Sequence, residues 1–425
     1  MTGLHQAARK AVCCKTTPAD IAGDKGEMPS MTIAALNAKD CTGCLACVNA
    51  CPWQCIHTQA DAEGFQHPVI RIEACLRCGK CFNVCPSCNP FTLRMPDKAY
   101  AAFARDAAQT RASSSGGVFQ VLAKHMITAM QGYVCGAVMG EDLMVQHILT
   151  ADMEGVAHMQ GSKYVQSNVA ACYEEIAGLL ARRVPVLFCG TPCQVAGLLR
   201  AVHAGLDCLY TADLICHGVP SPGAFRSHMR RHYQLDGLSR LTFRQQDPQD
   251  ACTYCYHFYY HDRREAMVFP HQDPFYQAFL DGVSLRDCCY RCNYARAERI
   301  GDITLGDCAR ANAFRKADGR FTPDRAVSTV TINTPNGHRL WEAVEQHLLF
   351  APADYQAETR LNGQLHAPMH RPLNRDAFYA NLNRLPLRAL KRLYCRKRSL
   401  KQRLKHIIVR HSTAVCRWNI RRGIG

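Results

Sequence analysis

The chain is 425 residues long, 48% hydrophobic and 8% aromatic, with 26 cysteines and a formal charge of +16, which is enough length for two or three domains with real cores. No run of 18 or more apolar residues occurs, and this excludes a helical membrane span. Fourteen Lys and Arg and no acid fall in residues 383–425, leaving +2 for the rest of the chain; with no aromatic stacking platform beside that basic tail, no nucleic-acid partner is expected.

Residues 1–30 are polar, turn-prone and aperiodic, and read as a disordered extension with Met28 or Met31 as a candidate start. They hold no apolar signal segment and no cleavage pattern, which points to the reducing cytoplasm, where thiols stay available for iron. The Cys13-Cys14 pair has no partner nearby and reads as reduced thiols.

From 36 to 90 the chain is organised by cysteine. The run Cys41-x2-Cys44-x2-Cys47-x3-Cys51-Pro52 recurs 34 residues on as Cys75-x2-Cys78-x2-Cys81-x3-Cys85-Pro86, an internal repeat. Three thiolates at x2 spacing wrap one 4Fe-4S cube, while the fourth, carried past a tight turn and fixed by proline, points toward the other cube. The expected ligand sets therefore cross: Cys41, Cys44, Cys47 and Cys85 on one cluster, Cys75, Cys78, Cys81 and Cys51 on the second. Zinc suits the pattern less, because it favours paired x2 ligands in fours, and so do disulfides. Cys55 and Cys88 are left over as packing residues beside the clusters. Residues 56–58 and 68–70 flank a polar turn containing Gly64, a short hairpin. The whole stretch resembles a bacterial dicluster ferredoxin.

Residues 90–96 read as a linker into a second domain spanning 97–350. Its expected elements are a helix at 115–130, strands at 133–139, 144–149 and 184–189, a tight turn Gly190-Thr191-Pro192-Cys193, a helix at 194–202, and a strand at 209–215 with Cys216-His217-Gly218 at its carboxyl end. Strands at 240–245, 253–260, 303–305 and 327–333 and a helix at 337–347 follow. A strand, a glycine turn and a helix in succession are what an α/β sheet uses to hold a ligand at its strand ends. The expected fold class is α+β, a small dicluster ferredoxin domain followed by a mixed α/β domain.

Six segments in that second domain carry a resemblance: Ser113-Ser114-Ser115-Gly116-Gly117-Val118-Phe119, Gly161-Ser162-Lys163-Tyr164-Val165-Gln166-Ser167, Gly190-Thr191-Pro192-Cys193-Gln194, Cys216-His217-Gly218-Val219-Pro220-Ser221-Pro222, Cys289-Tyr290-Arg291-Cys292 and Gly301-Asp302-Ile303-Thr304-Leu305-Gly306-Asp307. In this order, from about 113 to about 334, they resemble the signature series of the coenzyme F420 hydrogenase/dehydrogenase beta-subunit family. A ferredoxin unit ahead of it is similar to the family's F420H2 dehydrogenase and sulfite-reductase branches and to the chlorophyllide-type reductases of phototrophs. The resemblance implies that the second domain binds FAD and holds a third 4Fe-4S cluster.

The residues themselves allow two readings at each place. Ser114, Ser115, Gly116 and Gly117 at a helix start leave backbone N–H groups for an anionic phosphate, Lys163 could neutralise a second oxygen, and Tyr164 and Gln166 stand beside it; the alternative is an ordinary serine cap and a surface lysine. The Gly-x-Gly-x-x-Gly fingerprint is absent, so NAD in its usual mode is not expected. Cys193 and Cys216, in turns after apolar strands, could converge with Cys289 and Cys292 on a third cluster, or bind zinc, or be four unrelated buried thiols. Cys288 could exchange roles with Cys289, and Cys189 and Cys308 are lesser candidates. Family members tend to follow the last Gly-Asp with an aromatic and a tryptophan, whereas this chain continues Gly306-Asp307-Cys308-Ala309-Arg310, a change that could open the pocket. No Ser-His-Asp set or pair of carboxylates at suitable spacing competes as a hydrolytic site.

Two classes of function follow. The first is an iron-sulfur flavoprotein oxidoreductase that couples hydride chemistry at FAD, with deazaflavin F420 or a small organic substrate, to one-electron transfer with ferredoxin or another redox partner. The second is a non-catalytic adaptor that wires a partner enzyme; the family also occurs beside polysaccharide-synthesis genes. Roughly 300 residues beyond the ferredoxin unit exceed what a wire needs, which favours the enzyme. In the basic tail, 384–425, Leu387, Leu390, Leu393, Tyr394, Leu400, Leu404, Ile407, Ile408 and Val415 recur at near-helical spacing. That predicts an amphipathic helix over 386–410, for an anionic membrane surface at the inner face, for the chain's own domain, or for an acidic partner.

Overall fold

The computed structural model describes residues 31–169, 172–247 and 250–396. Its amino-terminal unit is an antiparallel hairpin, β1 (Ile56–Ala60) and β2 (Gln66–Ile70), with two one-turn helices, Ala46–Asn49 and Lys80–Asn83. The internal repeat survives in the backbone, since each short helix starts from a left-handed residue, Leu45 or Gly79. The interior of this unit is Ile33, Cys47, Cys55, Ile56, Cys81 and Cys85. Four of those six are thiols, so a unit this small depends on what the thiols bind for its cohesion.

The main body is an eight-stranded mixed sheet. Its strands are β3 (Lys98–Ala104), β4 (Tyr133–Met139), β5 (Val145–Thr150), β6 (Val186–Gly190) and β7 (Leu209–Leu214), and further on β11 (Ile303–Asp307), β12 (Ser328–Ile332) and β13 (Leu348–Pro352). Between them, β8 (Leu238–Asp247), β9 (Asp250–Tyr260) and β10 (Glu265–Val268) form a separate antiparallel sheet. The large sheet has the order β13-β3-β12-β11-β7-β6-β4-β5, with β4, β6, β7 and β11 mutually parallel and both wings antiparallel. The buried Val186-Leu187-Phe188 run of β6 is the continuous apolar pattern of a strand covered on both faces.

Three features differ from the sequence reading. The helix expected from residue 115 begins at Val118, because Gly117 sits at φ +78°, a left-handed conformation that glycine adopts at no steric cost, and turns the chain into it. Strand β3 has no expected counterpart; its Lys-Ala-Tyr-Ala-Ala-Phe-Ala sequence favours a helix locally, and burial between β12 and β13 overrides that preference. The chain also stays folded past residue 350. Helices Tyr355–Leu361, Arg375–Leu382 and Leu387–Tyr394 follow, and Phe378, Tyr379, Leu382 and Leu390 join the same core as Phe65 of the hairpin and Phe225, Tyr256 and Phe275 of the body.

Within the predicted tail helix, Leu387–Tyr394 packs on the body through Leu390, and Asn381 donates to the Tyr394 hydroxyl at 3.1 Å. Residues 397–425, with Leu400, Leu404, Ile407, Ile408 and Val415, lie outside the described residues, as do residues 1–30. Among the described residues no helix is long and apolar enough to cross a membrane.

Candidate functional site

The carboxyl ends of the parallel strands converge on one cavity of about 560 Å³, a size within the ~300–1,000 Å³ range of small-molecule sites. Strand β6 delivers Gly190 and Thr191, β7 leads into Cys216 and His217, and β11 ends at Asp307 and leads to Ala309. Strand β12 is antiparallel to β11, so its first residue, Ser328, faces the same end. The loop after helix Ala107–Ala112 adds Ser113, Ser114, Ser115 and Gly117 to the lining beside Ser328.

That loop is held by its own hydrogen bonds. The Ser114 hydroxyl oxygen accepts from the Ser162 N–H at 2.6 Å, Gly116 N–H donates to Ser328 Oγ at 2.9 Å, and Ser328 Oγ lies 3.0 Å from Ser115 Oγ. Helix Val118–Thr128 starts here; the N–H groups of Gln120 and Val121 meet the Gly117 carbonyl, while those of Val118 and Phe119 precede any intrahelical carbonyl. They form the kind of donor set that favours an anion.

Lys163 is placed differently from its sequence reading. Its ammonium donates to the carbonyls of His158, Met159 and Gln160 at 3.0, 2.7 and 3.0 Å, which engages all three of its protons at the end of helix Met153–Met159. Burial, and then the charge of Arg240, push it down to about 7. Tyr164 contributes an aromatic wall: its ring stacks on Phe279 at 4.6 Å and lies 6.2 Å from Tyr254. Gln166 reaches the amino-terminal unit, donating to the Thr42 carbonyl at 2.9 Å and accepting from Arg286 at 2.9 Å.

Two functional candidates on the cavity are not legible in the sequence. His147 is buried against Phe188, donates from Nε2 to the Cys189 carbonyl at 3.1 Å, and leaves Nδ1 with no partner among the described residues; burial pushes it down to about 4, so it is neutral. The segment Leu361-Asn362-Gly363-Gln364 lines the mouth, with Gln364 3.3 Å from the His217 ring. Neither carries a sequence signal, being a lone histidine in a strand and an undistinguished loop.

Four back thiols come together. Cys193 lies in the first turn of helix Pro192–Ala201, Cys216 follows β7, and Cys289 and Cys292 belong to the turn around Asp287–Arg291. Burial and then the neighbouring thiols push Cys193 up to about 12, and Cys216 rises for the same two reasons; burial and the charge of Cys289 push Cys292 to about 11. Cys289 is held low instead by a hydrogen bond from Cys288, while that same contact raises Cys288. Cys189 faces Asp213 and Lys163, and Cys308 packs with Phe103 and Phe321, so both stand apart from the four.

The front thiols are arranged across the repeat. Cys41 and Cys85 both act on Cys44 and on Cys47; burial, opposed by the Ala46 N–H and raised further by Cys85, sets Cys44 at about 12. Cys85 is lowered to about 6, first by a hydrogen bond from Cys88 and then by nearby backbone N–H groups. Cys81 sits with Cys75 and Cys78, and Cys51 Sγ lies 3.3 Å from Cys55 Sγ, which in turn interacts with Cys75. Among the described residues no three or more His, Cys, Asp or Glu converge tightly enough to hold a single ion.

The back thiols lie next to both the cavity and the front repeat. Cys193 and Cys216 line the cavity. Four residues along its helix from Cys193, about 6 Å of rise, a methyl group built on Gly197 would meet Cys44 Cβ at 3.0 Å and Sγ at 3.2 Å. Tyr173 and Tyr294, both buried, lie close enough to Cys44 and to Cys193 to feel both. At the far end Cys78 is exposed, and so are the nearby chain segments at Trp53 (57%), Ile72 (62%) and Leu76 (65%).

Residues 185–354 match the family model for the carboxyl terminus of the coenzyme F420 hydrogenase/dehydrogenase beta subunit, and residues 40–89 match the 4Fe-4S dicluster domain. Among solved structures, a chain of the F420-reducing NiFe hydrogenase complex from Methanosarcina barkeri is similar over 64% of this chain and 91% of its own, at 15% identity and a TM-score of 0.45. No curated protein matches.

Proposed function

We propose, for a chain that belongs to the coenzyme F420 hydrogenase/dehydrogenase beta-subunit family through residues 185–354 and carries a 4Fe-4S dicluster domain at 40–89, that its cavity is an FAD site placed at one end of a line of three 4Fe-4S clusters. The observation that carries this reading is that Cys193 and Cys216 line the same cavity as the Ser113–Ser115 loop and Gly117. A ligand held by the loop is then in reach of thiols that ligate iron.

The donor sets fit. At Cys44 of the inner front set and at Cys193 and Cys216 of the back set, burial and neighbouring thiols oppose ionisation, so a cationic body between them offsets that cost. In the front repeat the three-plus-one cysteine spacing closed by proline suits a cluster better than zinc. We assign Cys41, Cys44, Cys47 and Cys85 to the inner front cluster, Cys51, Cys75, Cys78 and Cys81 to the outer one, and Cys193, Cys216, Cys289 and Cys292 to the third. Ser114, Ser115, Gly116 and Gly117 hold the FAD phosphates at the start of helix Val118–Thr128. Tyr164 flanks the rings, Gln166 joins the cavity wall to the ferredoxin unit, and Lys163 fixes that wall by capping helix Met153–Met159 rather than by meeting phosphate.

When bound, the flavin supplies exchange of a hydride for electrons passed singly to the clusters. Small Ala309 at the end of β11, where the family tends to carry bulk, leaves room for F420 or a small organic substrate beside Arg244 and Tyr254. A redox partner such as ferredoxin docks over Trp53, Ile72 and Leu76, next to the exposed Cys78.

The test is the content of the acid-released supernatant of holoprotein, expected to hold FAD at about one per chain, together with bleaching of that flavin by reduced F420. FMN, or no flavin, overturns the site; clusters that respond without flavin leave the adaptor role. For the basic tail, the full chain is expected to sediment with anionic liposomes at low salt and to be released at high salt, while a chain ending at Arg396, which keeps Leu390 packed, stays in solution. Equal, negligible sedimentation of both removes the membrane reading.

A further inference from the structure

Among the described residues three arginines are buried: Arg286, Arg299 and Arg375. Arg299 pairs with Asp213 at 2.9 Å and Arg375 with Glu63 at 2.6 Å. Arg286, 3% exposed, has no carboxylate within ion-pair distance among the described residues. Its Nε donates to the Cys41 carbonyl at 2.7 Å, one Nη to Gln166 Oε1 at 2.9 Å and the other to the Gln66 carbonyl at 3.0 Å, with the His67 ring at 3.2 Å and Phe65 beneath it at 5.2 Å. Every one of these acceptors is neutral. A guanidinium cannot discharge itself by losing a proton, and a buried charge without a counter-charge costs several kcal/mol.

The cysteine tetrads flank Arg286. Its Nε meets the Cys41 carbonyl at 2.7 Å on one side, and its backbone carbonyl accepts the Cys289 N–H at 2.9 Å on the other. It therefore stands between the inner front tetrad, through Cys41, and the back tetrad, through Cys289. Sequence separations of 245 residues to Cys41 and 120 to Gln166 show that only the folded chain makes this position.

We infer that Arg286 is a shared, fixed counter-charge for the two adjacent cysteine tetrads, a positioning residue that lets both hold an electron at once. The inference rests on the cluster assignment above and concerns the feature that a two-electron donor at the cavity requires. One hydride equivalent is two electrons and one proton: the proton is released at the cavity to water, and the electrons pass one to each tetrad, each adding one negative charge there. Two such charges side by side repel each other, and a cation between them offsets the repulsion without a proton moving to either tetrad. Arg286 keeps its charge throughout.

The experiment is an EPR-monitored redox titration of holoprotein with dithionite, comparing wild type with Arg286→Gln, Arg286→Lys and His67→Asp. Arg286→Gln is expected to lower the one-electron reduction constant of both adjacent clusters at least tenfold, which is 59 mV each, and to leave the outer cluster unmoved. Arg286→Lys retains most of the wild-type potential. His67→Asp sets a carboxylate beside the intact guanidinium and is expected to act in the same direction as Arg286→Gln, which keeps the test standing if Arg286→Gln does not assemble its iron. Unmoved midpoints in Arg286→Gln, or in His67→Asp where Arg286→Gln holds no iron, overturn the inference, as does a shift in Arg286→Lys as large as that in Arg286→Gln, since geometry and not charge would then be at work. A wild type with no such signals removes the cluster assignment itself; signals present but insensitive to these variants remove the inference alone.

Discussion

Replacing Glu63 by alanine is expected to lower the unfolding free energy by about 3 kcal/mol, the low end of the range for breaking a buried pair. Arg375 is 1% exposed and gives both Nη groups to the two Glu63 carboxylate oxygens at 2.6 Å, while its Nε goes to the Leu285 carbonyl at 3.1 Å. Without Glu63 the guanidinium stays buried against Tyr379. Exposed Asp376 at 3.1 Å and Asp287 at 3.8 Å compensate in part, which is why the low end is chosen. The pair also fastens the turn between β1 and β2 to helix Arg375–Leu382, so the loss falls on the joint between the ferredoxin unit and the body. In urea the midpoint is expected to drop with little change in slope, and Glu63→Met combined with Arg375→Met to recover most of it, because an apolar pair removes the stranded charge. A single variant within about 0.5 kcal/mol of wild type would show that the two units are held together elsewhere.

What is readable in the chain is written in covalent spacing. The 34-residue cysteine repeat states its own geometry, and Gly190-Thr191-Pro192-Cys193 announces a strand, a turn and a helix start: Pro192 opens the helix and Thr191 N–H donates to Gln194 Oε1 at 2.9 Å. Strand β3 escapes because alanine favours helix until a sheet surrounds it. Lys163 reads as a phosphate ligand only while helix Met153–Met159, whose carbonyls it caps, goes unrecognised. Glu63 and Arg375, 312 residues apart, and Arg286 with Cys41 have roles that exist only after folding, and no local pattern encodes them. The basic tail shows the opposite failing: a periodicity readable over 386–410 does not say which surface it covers, and its described part covers the chain's own core through Leu390.

Changing Cys85 and Cys88 together to alanine is expected to remove about four of about twelve irons and, specifically, the inner front cluster. Cys88 is included because its thiol already touches Cys85 and could replace it as a ligand. Cys85 stands four residues from Cys81 in sequence, yet the structure sets it against Cys41, Cys44 and Cys47. Helix Pro192–Ala201 presses Gly197 on Cys44 and carries Cys193 one turn away, so under the proposed assignment the inner front cluster is the one next to the third. Its removal should therefore abolish the magnetic coupling between those two in the reduced EPR spectrum and leave the outer cluster as an isolated signal. The companion variant, Cys51→Ala with Cys55→Ala, disables the second alternative ligand 3.3 Å from Cys51. It is expected to lose the same amount of iron while the coupling persists, because the outer cluster is the one that goes. If both double variants lose the same signal, or if the coupling survives the loss of Cys85 and disappears with Cys51, the ligands do not cross, and the order of the line from cavity to surface has to be redrawn.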